Sequence, residues 1–130
     1  MRGLPSQRGP GTYVSLDTPW RPESGKLMQA RVNIKKSEIL DPNGLLDGTN
    51  IEKSRSDFSR VSDIINNMPR AELSRRAGDN FDIPRAVQSV LKDMGYKAEV
   101  AYIDAEFPNR GRELVVWDRQ NVELAEIGKN

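Results

Sequence analysis

At 130 residues the chain has room for one domain with a real hydrophobic core and not for two. Its 20 basic and 19 acidic residues leave a net charge of only +1, which disfavours a dedicated nucleic-acid binder, because that electrostatic grip normally needs a basic surplus. The sequence has neither cysteine nor histidine, so disulfides, thiolate nucleophiles, histidine bases and the usual zinc sites are excluded, and any chemistry must come from carboxylates, hydroxyls, arginines, lysines and backbone groups.

In chain order, the first twelve residues, MRGLPSQRGPGT, read as turn or loop. Tyr13-Val14-Ser15-Leu16 suits a short strand stopped by Asp17 and Pro19, and a polar loop containing Trp20 follows. Met28, Ala30, Val32 and Ile34 alternate with polar residues, the period-two pattern of a half-buried strand. Glu38 to Asp41 is a further short strand before the turn Pro42-Asn43-Gly44. Thr49 followed by Glu52 fits a capping box, and Ile51, Phe58, Val61, Ile65 and Met68 then give a helix one apolar face until Pro69. A weaker helical piece covers Ala71 to Arg76. The clearest helix has Asp82 as N-cap, Pro84 in its first turn, Val87, Val90, Leu91 and Met94 as its buried stripe, and Gly95 as C-cap. Two strands, Ala98 to Ile103 and Leu114 to Trp117, close the chain around an irregular stretch from Asp104 to Arg112. The charged stretches Glu52 to Arg60 and Arg70 to Arg76 read as solvated helix faces. Strands at both ends around a helical middle point to an α+β fold. No apolar run approaches the roughly 20 residues of a membrane span, and the first residues lack a signal-peptide core, so the chain is expected to work in water.

Three segments, in order, resemble the ADP-ribosyltransferase-like domains of bacterial toxins, effectors and phage proteins. Arg2-Gly3 resembles the end of the family's first strand, and Gly9-Pro10-Gly11-Thr12-Tyr13-Val14-Ser15 the glycine-containing turn into the next. Met28 to Asp41, ending in Ile39-Leu40-Asp41, resembles the strand pair that precedes a helical insert. Leu91 to Tyr96, with Arg112-Glu113-Leu114-Val115-Val116-Trp117-Asp118, resembles the helix, glycine turn and final core strands. The resemblance implies one domain over 1–130, a split antiparallel β-sandwich core with a helical insert and a shortened first strand. It implies NAD as substrate and no metal.

The same resemblance assigns roles. Breaking the nicotinamide–ribose bond builds oxocarbenium-like charge at the sugar, which a nearby carboxylate stabilises. Glu113, opening the strand Leu114-Val115-Val116, is the carboxylate implied; alone it reads equally as a solvated strand-end glutamate. Arg2 is implied to hold the NAD phosphates and ribose with its planar fork, with Arg8 as substitute in a shifted register and a mobile terminal arginine as the alternative. Ser15 is implied to brace the glutamate or the ribose, although its neighbours Val14 and Leu16 replace the hydroxyls of the fuller family pattern; alone it is a polar strand residue. Tyr13 reads as a nicotinamide-stacking ring or a core aromatic, and Gly11, with Gly9, as a close approach to the dinucleotide or a plain turn. Phe107 and Asn109 lie in the loop expected to recognise the acceptor, or in a polar surface loop with one packed aromatic. Gly111 stands where arginine-modifying members carry an acidic or amide residue, which turns the expectation away from an arginine acceptor.

The activity implied is ADP-ribosyl transfer to a macromolecule, most naturally a protein, or to water, by an effector or toxin that acts in the cytoplasm, if need be after delivery into a target cell. A neutralising partner protein would accompany a toxin; nucleic acid and membrane are not expected partners. A catalytically inactive domain of the same fold, used for protein interaction, is the alternative.

Overall fold

Strands gather at both ends of the chain and helices in its middle, the α+β arrangement the pattern predicts. The computed structural model describes residues 9–17 and 27–127. Its elements are β1 (Thr12–Ser15), β2 (Leu27–Val32), β3 (Ile39–Leu40), α1 (Ile51–Asn66), α2 (Arg70–Ala77), α3 (Ile83–Asp93), β4 (Ala98–Tyr102), β5 (Arg112–Val116) and β6 (Val122–Ile127).

Four strands form a sheet in the order β1-β5-β4-β3, and β2 pairs with β6 in a second, two-stranded sheet. The larger sheet is mixed, not wholly antiparallel as the resemblance implied: β1–β5 and β4–β5 are antiparallel, while β3–β4 is parallel because the helical segment forms the crossover between them. Alternation along the strands gives each face its own core. On one face Leu40 and Val115 pack with Val61 of α1, Val90 and Leu91 of α3, Tyr96 and Trp117. On the other, Ile39, Ala98, Val100, Leu114 and Val116 meet Val122 of β6, with Ala30 and Val32 of β2 packed against them. The four-stranded sheet is thus a middle layer between helices and the smaller sheet.

α3 begins where its sequence says it should: the Asp82 side chain accepts from Arg85 N at 3.3 Å, with Pro84 in the first turn. Its C-cap is Met94, one residue before Gly95. At α1 the expected cap is corrected: Asn50, not Thr49, caps the helix by accepting from Lys53 N at 3.0 Å. The Thr49 hydroxyl is engaged elsewhere, donating to Asp41 Oδ2 at 2.7 Å. The buried side of α1 also differs from the predicted stripe. Phe58 is 46% exposed, while Ser54, Asp57 and Val61 are buried.

Both polar residues on that buried side have partners, as burial requires. The Ser54 hydroxyl accepts from Asp41 N at 2.9 Å. Asp57 is therefore not part of a solvated face. Its Oδ2 accepts from Tyr96 Oη at 2.6 Å and Lys53 Nζ at 2.7 Å, and the Lys53 ammonium also lies 4.6 Å from the centre of the Tyr96 ring. Burial would raise the Asp57 pKa, but hydrogen bonds from Lys53 and Tyr96 outweigh it and hold the carboxyl below its ordinary value. Burial and the Asp57 hydrogen bond push the Tyr96 phenol up. β6 is an element that the sequence pattern does not predict. Beyond Val122 its described side chains are exposed, so no core-facing alternation marks it.

Candidate active site

Ser15 and Glu113, far apart in sequence, stand directly opposite each other in the β1–β5 pair, so their side chains leave the same face of the sheet. Leu16 N donates to Arg112 O at 3.0 Å, which makes that neighbouring pair hydrogen-bonded. Ser15 and Glu113 consequently form a non-hydrogen-bonded pair, the closer kind, with Cα atoms about 4.5 Å apart. The face is the one that carries Val115 and the helix-side core. On the other flank, Glu113 lies opposite Ala101. Glu113 is only 4% exposed, and Ser15 is half-buried.

Tyr13 lies two residues before Ser15 on the same face, opposite Val115, and packs against the helix-side core. Its hydroxyl donates to Gly9 O at 2.8 Å. Glu99, opposite Val115 on β4, joins this face diagonally from Glu113. The face therefore presents a hydroxyl, an aromatic ring and two carboxylates in two adjacent rows.

The glycine turn before β1 is held by the protein itself. Gln88 Nε2 of α3 donates to Pro10 O at 2.6 Å. Gly11 has φ +152, and a Cβ there would come within 2.8 Å of Val116 O. Its missing side chain thus lets β1 enter against the end of β5.

Phe107 and Asn109 lie on the exposed loop that leads into β5, Phe107 being 47% exposed and Asn109 within the 3-10 turn Pro108–Arg110. This loop is ordered by its own contacts. Asp104 Oδ1 accepts from Glu106 N at 3.0 Å, its Oδ2 accepts from Arg110 Nη1 at 3.3 Å, and the Arg110 guanidinium lies 4.9 Å from the Phe107 ring centre. At its base Ile103 N donates to Gly111 O at 3.0 Å. Gly111 has φ +101, and a Cβ there would stand 3.2 Å from Asp17 Cβ, so the backbone disfavours the acidic or amide side chain of the arginine-modifying pattern. Arg2, Arg8 and Trp20 lie outside the described residues.

Two shallow depressions open on the helix side, of about 520 and 370 Å³. Phe58 and Glu99 line both; Ile83, Pro84 and Val87 of α3 wall the smaller, and Pro42 and Arg55 the larger. Neither is lined by Ser15, Tyr13 or Glu113, so the paired hydroxyl and carboxylate lie beside this concave surface rather than in it. Phe58 and Glu99 escape sequence reasoning because each sits inside a regular pattern, one as an apparent core residue of α1 and one as a polar residue in a strand.

At the open end of β1, Asp17 faces Arg112. Hydrogen bonds from the Arg112 side chain and then from its backbone N–H lower the Asp17 pKa to about 2. Among the described residues no group of three or more acidic side chains is placed to hold a metal ion, and no helix is long and apolar enough to cross a membrane. In comparisons with protein-family models, curated proteins and solved structures, nothing matched the chain.

Proposed function

We propose that this chain is an ADP-ribosyltransferase-like domain that breaks the nicotinamide–ribose bond of NAD and passes the ADP-ribosyl group to a macromolecular acceptor, most naturally a protein, or to water. One observation carries the reading: Ser15 and Glu113, singled out separately in the sequence, face each other across one strand pair with Tyr13 on the same face. In the reaction the C1′–N bond breaks and nicotinamide leaves with the bonding pair. The Glu113 carboxylate stabilises the positive charge left on the ribose. Ser15 fixes the carboxylate or a ribose hydroxyl, Tyr13 packs on the nicotinamide end, and Arg2 holds the phosphates. The acceptor oxygen or nitrogen then attacks C1′ and releases its proton. The exposed Phe107–Asn109 loop, next to β5, is the surface that meets a protein acceptor. Two sheets with the helices inserted between β3 and β4 suit this fold family, and a neutralising partner would accompany such an enzyme acting as a toxin.

A second reading, an inactive domain of the same fold serving protein interaction, is favoured by the burial of Glu113 and by depressions that stop short of it. Titration of the protein with NAD in a calorimeter, and transfer of label from adenylate-labelled NAD to proteins of a cell extract, separate the two. Binding with labelling supports transfer, and binding with soluble ADP-ribose alone supports hydrolysis. Absence of binding leaves the interaction module.

A further inference from the structure

β1 is a four-residue edge strand, and all its side chains are only half-buried, so its own packing holds it weakly. No hairpin turn sets its register, because its partner β5 lies near the other end of the sequence. A slip of one residue would send Ser15 to the opposite face of the sheet and away from Glu113. Gln88 holds the turn before the strand through Pro10 O, and the far end is pinned two residues after Ser15. The Asp17 carboxylate accepts from Arg112 N at 2.7 Å, from Nε at 2.9 Å and from Nη2 at 2.6 Å. The remaining arm of the same guanidinium, Nη1, donates to Leu45 O at 2.5 Å, so a third segment joins the clamp. Arg112 is the residue next to Glu113, and alternation puts the two side chains on opposite faces. The clamp therefore grips the strand end from behind without occupying the face that Ser15 and Glu113 share.

We propose that the Asp17–Arg112 clamp is a positioning device that locks β1 and β5 in the register placing Ser15 beside Glu113, and so sets the catalytic rate of the proposed reaction. The inference rests on the reading of Ser15 and Glu113 given above. The planar fork suits the site, because its three nitrogens hold both carboxylate oxygens and Leu45 O in one fixed geometry that a lysine's single nitrogen does not reproduce.

Two independent readouts test it. Since the natural chain has no cysteine, the double substitution Ser15→Cys with Glu113→Cys gives a clean probe: a non-hydrogen-bonded pair in register closes a disulfide readily under mild oxidation. Adding Asp17→Asn or Arg112→Lys to that background is expected to slow closure about tenfold, while circular dichroism stays unchanged. In the chain with its natural Ser15 and Glu113, the same two substitutions are expected to lower kcat for nicotinamide release about tenfold and move KM less than twofold, because misplacement of a reacting group acts on the chemical step. Unchanged closure rates overturn the clamp whatever the activity shows. Slowed closure with unchanged kcat overturns its role in rate. If the natural chain releases no nicotinamide, the functional reading fails, and closure rates then decide the register lock alone.

Discussion

Replacing Asp41 by asparagine changes almost nothing in volume and a great deal in bonding. Asp41 is fully buried, and its two carboxylate oxygens organise the loop between β3 and α1. Oδ1 accepts from Leu45 N at 2.8 Å, and Oδ2 accepts from both Leu46 N at 2.9 Å and Thr49 Oγ1 at 2.7 Å. An asparagine has one acceptor oxygen and brings an amide donor to the other position. Oriented to keep the Oδ2 bonds, it sets an N–H against the Leu45 N–H; flipped, it sets that N–H against the Leu46 N–H instead, with the Thr49 hydroxyl accepting from the amide and donating to Leu46 O. A buried group left unpaired costs about 1–3 kcal/mol, so the substitution should destabilise the domain by about 2–4 kcal/mol. For a chain of this size each kcal/mol moves the melting point by about 3–4 °C, which gives a fall of roughly 6–16 °C. Differential scanning calorimetry of Asp41→Asn beside Thr49→Val reads this directly, the threonine variant losing the hydroxyl that serves Asp41 Oδ2 and Leu46 O and about 1–2 kcal/mol. A fall below about 2 °C for Asp41→Asn would refute the argument that this carboxylate holds the loop.

Three further outcomes are expected. Tyr96→Phe removes the phenol that donates to Asp57, costing about 1–2 kcal/mol; because burial and Asp57 raise the folded pKa of Tyr96, spectrophotometric titration should also lose a tyrosinate step that comes later than an ordinary phenol's, and the stability this group contributes in the unsubstituted chain should fade only above pH 10, as the unfolded phenol ionises. Asp17 titrates near 2 when folded, below its unfolded value, so its contribution is complete above about pH 4 and is lost as pH falls toward 2; acid unfolding followed by circular dichroism should show a flatter loss over that window in Asp17→Asn than in the natural chain. Phe107→Ala should reduce labelling of protein acceptors severalfold while leaving NAD hydrolysis within twofold, since the ring is exposed on the loop rather than packed in the core; equal losses in both assays would contradict its assignment to the acceptor.

Local signals carried α3 and β2. The Asp82 cap, the Pro84 turn and an unbroken apolar stripe agree at α3, and alternation over Met28 to Ile34 suffices for β2 even though the strand ends at Val32. Sequence misleads where a partner lies far along the chain. Thr49 looks like a cap until Asp41 claims its hydroxyl, and Asp57 looks solvated until Tyr96 arrives, 39 residues later. β6 leaves no period-two trace because backbone pairing with β2, not burial, holds most of it. The candidate site follows the same rule. Resemblance singled out Ser15 and Glu113, but only strand pairing places them on one face, and the Asp17–Arg112 clamp that fixes their register has no local signature.

The most direct test of the central claim is nicotinamide release from NAD by the purified chain beside Glu113→Gln, which keeps the size of the side chain and removes its charge. Steady release by the natural chain is expected, with a loss of at least about a hundredfold in kcat for the variant, the scale of one electrostatic stabiliser of a transition state. Equal rates in the two proteins, or no release from the natural chain, would contradict it.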